Sequence, residues 1–189
     1  MEQILFVNAC VRPMSRTLDL AQYVLNKLEG EVEEVNLQSE QIPPHNWQRL
    51  QKRDALLSAG NFSDTMFRYA RQFRDADTIV IAAPYYDLSF PSSLKNWVES
   101  ICNVGLTFYY DENEVAQTLC RGKRLYYVTT SGAAFLPDFG FEYVRRVFSE
   151  FFRIEDAVCF HGERLDLRDT DAEAIMADAK REIDRFFLK

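Results

Sequence analysis

The chain has 189 residues, 47% of them hydrophobic and 27% charged, with a formal net charge of −7. One domain of that length buries roughly 70% of the surface its unfolded chain exposes, so it can build a core without disulfides or a structural metal. The acidic balance, with Lys and Arg scattered, excludes a nucleic-acid binder that works by displacing counterions, and no apolar run approaches the roughly 20 residues of a membrane span.

Residues 3–8 (QILFVN) are a short apolar run, the pattern of a strand buried on both faces. The opening MEQILFVNAC carries no basic n-region and no cleavage pattern, so the chain is expected to stay in the cytoplasm. After a break at Pro13, residues 15–28 place Leu18, Ala21, Val24, Leu25 and Leu28 at helical spacing, with Gly30 expected as the glycine that ends the helix. Residues 32–37 read as a second strand. From 38 to 60 the pattern loosens around Pro43, Pro44, His45 and Trp47, and a long connection with one helical turn is expected. Connections of that length are usually functional. A helix follows over 63–74, then the strongest strand, 77–83 (DTIVIAA), which stops at Pro84. Pro91 suits the first turn of a helix over 91–103. Residues 125–130 form the fourth strand, 139–152 a helix, 154–160 the fifth strand, and 170–187 a closing amphipathic helix. The alternation of strands and helices predicts a single α/β domain with a five-stranded parallel sheet and helices on both faces.

Cys10, Cys102, Cys120 and Cys159 lie far apart, without a CxxC, and His45 and His161 are the two histidines. That spacing fits neither zinc nor a secreted disulfide frame, and no GxSxG elbow supports a serine hydrolase. The cysteines are expected to be buried free thiols.

In open α/β sheets ligands bind beyond the carboxyl ends of the strands, where strand order reverses. The loop after the first strand, NACVRPMSRTLDL, puts Ser15, Arg16 and Thr17 at a helix start, an arrangement suited to phosphate. Neither GxGxxG nor a Walker A pattern is present, which disfavours NAD or ATP as the resident ligand of this loop. After the third strand, Pro84, Tyr85, Tyr86, Asp87 and Leu88 could flank a planar ligand. After the fourth, Thr129–Ala133 is a run of small residues around Gly132, which lets backbone approach a ligand closely.

These stretches resemble the FMN-dependent NAD(P)H azoreductase and quinone reductase family of flavodoxin-like proteins. The most specific part is IVIAAPYYDLSFPSSLKNWVESICNVGLTFYYDENE, where the family shows AAPMYNF, a following LKN and GxTFxYxENG. The resemblance implies a flavodoxin-like three-layer sandwich that binds FMN and acts as a homodimer. It implies electron transfer from NADH or NADPH to a small aromatic acceptor (a quinone, azo or nitro compound), with donor and acceptor using one pocket in turn. By position, the family's phosphate loop falls on Cys10, Ser15, Arg16 and Thr17. Its ring-flanking segment falls on Pro84, Tyr85, Tyr86, Asp87 and Leu88, and its second ring-contacting loop on Thr130, Ser131, Gly132 and Ala133. Phe108 and Tyr110 are expected in the acceptor site. The flavin carries the chemistry, so no catalytic side chain is expected.

Four positions depart from the family pattern. Cys10 stands for serine, Asp87 for asparagine, Ala133 for a second glycine, and DENE lacks the final glycine, while the first loop is one residue shorter. A flavodoxin-type carrier without turnover of its own is the alternative reading, and a dimeric scaffold that has lost FMN is a third.

Overall fold

The computed structural model describes residues 1–188. The main sheet holds β1 (Gln3–Asn8), β2 (Glu31–Asn36), β3 (Thr78–Ala82), β6 (Arg124–Thr130) and β7 (Asp156–Gly162). Their order is β2-β1-β3-β6-β7 and every pairing is parallel. This is the doubly wound order of flavodoxin-like sheets, with the chain reversing direction between β1 and β3.

Alternate residues of the central strands feed two separate cores. Leu5, Val7, Ile79, Ile81, Leu125 and Tyr127 face one side. There they meet Phe73 of α4 (Arg68–Asp75), Leu94 and Trp97 of α5 (Ser92–Ile101), and Phe148 and Phe152 of α6 (Phe141–Phe152). Ile4, Phe6, Val80, Ala82, Tyr126 and Val128 face the other side. They pack on Leu20, Ala21 and Val24 of α1 (Arg16–Leu25) and on Ala179 and Ile183 of α7 (Ala172–Phe187). The result is the expected three-layer sandwich. Each large apolar side chain so buried contributes about 1.5–3 kcal/mol, which is why the mainly apolar β1 and β3 sit inside the sheet.

Several expectations are corrected. Gly30 does not end α1, which stops at Leu25 with Asn26 as its cap. Gly30 instead opens β2, where a Cβ would lie 2.5 Å from the Glu2 carbonyl oxygen, so close backbone approach is what demands glycine there. The 38–60 stretch is not a loop with one helical turn. It contains α2 (Leu37–Glu40) and a full α3 (Trp47–Ser58), whose cap Asn46 accepts from the Arg49 N–H at 2.8 Å. No α3 residue is fully buried, and its half-buried inner face mixes Leu50, Leu56 and Leu57 with Arg49 and Arg53, which blurs the apolar stripe that a periodicity reading looks for. Finally, 106–120 contains an antiparallel hairpin, β4 (Phe108–Tyr110) and β5 (Ala116–Thr118), which strands of three residues each did not announce. The helix expected over 63–74 is a 3-10 turn at Thr65–Phe67 running into α4, and the last strand lies two residues later than expected. Among the described residues no helix is long and apolar enough to cross a membrane, and no cluster suits a metal ion.

Candidate active site

Where β1, β3 and β6 end, their loops enclose a cleft of about 320 Å³ lined by residues 12, 14–17, 84–86, 130–132, 165 and 166. It lies at the carboxyl edge, next to the point of strand reversal, as the topology requires.

One end of the cleft is the start of α1. Ser15 is extended and its hydroxyl caps the helix by accepting from the Leu18 N–H at 3.2 Å. The N–H groups of Arg16 and Thr17 have no acceptor among the described residues. Two unpaired donors at the positive end of a helix dipole, with the Arg16 guanidinium beside them, form a seat for an anion. Thr17 is buried and its hydroxyl lies 2.6 Å from that of Thr130, which ties α1 to the end of β6.

The opposite wall is the segment after β3. Tyr85 donates its N–H to the Thr130 carbonyl at 3.1 Å, extending the sheet by one step. Tyr86 and Ser89 then exchange both backbone hydrogen bonds at 2.8 Å, closing a two-residue turn on Asp87 and Leu88. Both turn residues have positive φ, 50° and 68°. That is the left-handed region, which costs an L-residue about 1–2 kcal/mol. The buried Tyr85 hydroxyl and the Thr129 hydroxyl find no partner, an unusual state for buried polar groups. The Tyr85 ring meets Phe135 edge-on, with ring centres 5.2 Å apart.

The third wall is the loop after β6. Ser131, Gly132 and Ala133 accept in register from the N–H groups of Leu165, Asp166 and Arg164 at 3.0–3.1 Å. The Ser131 hydroxyl donates to the Ala133 carbonyl at 2.6 Å. A Cβ at Gly132 would lie 2.5 Å from Asp166 Oδ2, so a side chain there would displace that carboxylate.

Ser15, Arg16, Thr17, Pro84, Tyr85, Tyr86, Thr130, Ser131 and Gly132 are therefore gathered in one place. Six other expected residues are not on the cleft wall. Cys10 is 7% exposed, and its thiol points to the Ala82 carbonyl at 3.9 Å beneath the loop. Burial pushes that thiol up to about 11, so it is protonated at neutral pH. Asp87 and Leu88 form the turn tip beyond Tyr86, and Ala133 lies behind Ser131. Phe108 turns into the core, with its ring centre 4.9 Å from that of Phe151, while Tyr110 is half exposed on the hairpin. Neither lines the cleft. The sequence reading missed Arg12, Met14, Leu165 and Asp166. The last two arrive on the loop after β7, which carries no motif.

The model of a family described as having a flavodoxin-like fold matches residues 2–187. The FMN-dependent NADH:quinone oxidoreductase 2 of Clostridium acetobutylicum is 31% identical, the match covering 93% of each chain. The FMN-dependent NADH:quinone oxidoreductase of Coprothermobacter proteolyticus is 30% identical over 98% of each. Among solved structures, the FMN-dependent NADH-azoreductase of Bacillus anthracis in complex with FMN shares the fold, with a TM-score of 0.82, 20% identity, and 99% of this chain and 98% of that one covered.

Proposed function

This chain belongs to the flavodoxin-like-fold family that includes the FMN-dependent NADH:quinone oxidoreductases, and from that premise we propose that it is itself an oxidoreductase of this kind, using FMN to reduce quinones or azo compounds at the expense of NADH. The observation that carries the reading is the cleft at the strand reversal, with an open helix N-terminus at one end and a glycine-centred loop beside two tyrosines at the other.

The residues fit the cofactor. Arg16 and Thr17 offer free N–H groups, and Ser15 and Thr17 add hydroxyls where a phosphate monoester would sit. The unpartnered hydroxyl of Tyr85, on the cleft wall, is the kind of orphaned polar atom that a ligand or an ordered water satisfies. Bound FMN would supply the two-electron chemistry, accepting hydride from NADH and reducing the acceptor. The protein's share would be to hold the phosphate at the start of α1, fix the ring between the 84–86 and 130–132 segments, and leave one face open for donor and acceptor in turn. Arg12, whose guanidinium lies 6.0 Å from the centre of the Tyr86 ring, is placed to steer anionic substrates to that opening.

The proposed assembly is a homodimer. Tyr109, Tyr110, Val115 and Leu119 around the hairpin, with Leu136 and Phe139 before α6, are each 40% exposed or more. A single species of twice the 22.1 kDa chain mass in sedimentation velocity supports it; a monomer at micromolar concentration contradicts it. The activity is tested by steady-state kinetics with NADH and a simple benzoquinone both varied, and NADPH compared as donor. Parallel reciprocal lines are expected from sequential use of one face. Intersecting lines contradict the shared face, and absence of turnover leaves the carrier reading instead.

A further inference from the structure

The cleft contains a charge that works against the proposed ligand. Asp166 reaches in from the loop after β7 and pairs with Arg16, its Oδ1 2.8 Å from Nη1. Its other oxygen covers Gly132 at a distance where a methyl group would not fit. The placement is not a loose surface encounter. The Asp166 backbone is fixed by its N–H to the Gly132 carbonyl at 3.1 Å and by the neighbouring Leu165 and Arg164 bonds to Ser131 and Ala133. The Thr170 hydroxyl donates to the Leu167 and Arg164 carbonyls at 2.8 and 3.0 Å and closes the loop behind it. Arg16 is tethered from the same side by the Leu165 carbonyl at 3.5 Å.

A carboxylate thus occupies the guanidinium at the mouth of the anion seat built by the start of α1. We propose that Asp166 is an internal competitor for Arg16, and that it sets how strongly this site prefers a phosphorylated flavin over the same ring system without phosphate. This rests on the functional reading above. A phosphate monoester bound at the N–H groups of Arg16 and Thr17 draws the guanidinium toward itself. The Asp166 side chain then loses its partner and faces a dianion, and both changes subtract from the phosphate's contribution to binding. A neutral flavin lacks the phosphate and leaves the Arg16–Asp166 pair in place. Asp166 therefore narrows the gap between the two ligands. Both side chains are substantially exposed, 47% for Arg16 and 66% for Asp166, so the effect is modest and the loop folds without the pair.

The test is fluorescence titration of the full-length chain, stripped of flavin, with FMN and separately with riboflavin, in wild type, Asp166→Asn and Asp166→Ser. Both variants remove the charge, and the first keeps the shape. Tighter FMN binding by about fivefold is expected in both, the scale of one exposed charge interaction, with riboflavin affinity unchanged. FMN affinity that stays the same or weakens overturns the proposal. Equal tightening for FMN and riboflavin also overturns it, because Asp166 would then act on the ring or ribityl chain. If wild type and variants alike take up neither flavin, the functional reading fails and this inference falls with it. That outcome is distinct from a wild type that binds FMN and a variant that does not improve.

Discussion

Two residues at the tip of one turn carry backbone strain beside the site. Asp87 and Leu88 both sit at positive φ, and the Tyr86–Ser89 hydrogen bonds make the turn the mirror-image type that favours Asn-Gly or Asp-Gly. Asp87 is tolerable in such a position, but a γ-branched leucine is not favoured there. Leu88 is 54% exposed, so its side chain recovers little by burial. Leu88→Gly is expected to raise stability in urea unfolding by about 0.5–1 kcal/mol, the left-handed penalty less glycine's entropy cost. An unchanged or lower stability would mean that the Leu88 side chain has a packing role of its own. Strain held next to a ligand cleft is where function rather than stability sets the residue. The thiols tell the opposite story. Burial pushes Cys102, Cys120 and Cys159 up to about 12, so these thiols stay protonated at neutral pH.

The elements differ in how openly the sequence declares them. β1 and β3 are apolar through their middles, Ile4–Val7 and Ile79–Ala82, because they are covered on both faces, and that composition is readable without a structure. The α3 helix stays hidden because its inner face is only half-buried and mixes leucines with Arg49 and Arg53, which leaves the Asn46 cap as its clearest mark. The loops after β1, β3 and β6 are legible as a site because topology alone brings strand ends together. Asp166 is not, because it reaches the cleft through backbone pairing of 164–166 with 131–133, which leaves no mark on side-chain pattern. The β4–β5 hairpin is held by its turn more than by its length. The Asp111 carboxylate accepts from the Val115 N–H at 3.0 Å, the Asn113 N–H at 2.9 Å and the Gln117 amide at 2.7 Å. The Val115 bond foremost, followed by that of Gln117, holds its carboxyl below the usual value. A depressed carboxyl contributes stability that is present above the unfolded-state value and lost as pH falls through the folded one. Asp111→Asn is therefore expected to be less stable than wild type at pH 7, with the gap closing as pH drops below about 4. A gap that persists undiminished at pH 2–3 in thermal unfolding would contradict the ionic role of this turn.

For the whole molecule, the parallel sheet fixes where a ligand goes, and the two cores make that edge rigid. β1, β3 and β6 are clamped between α1 and α7 on one side and α4, α5 and α6 on the other, so the loops that line the cleft hang from the most buried part of the chain. A site that positions a cofactor and leaves the chemistry to it needs that rigidity more than it needs acids and bases. On the proposed function, this rigid edge holds an FMN reducible by NADH. The decisive experiment is the visible absorption spectrum of the purified, FMN-reconstituted protein, recorded anaerobically before and after one equivalent of NADH. Flavin bands at about 370 and 450 nm that stay with the protein on gel filtration and bleach on adding NADH are predicted, as for any nicotinamide-reducible flavoprotein. A protein that elutes colourless after incubation with excess FMN, or one whose bands are untouched by NADH, would contradict the claim.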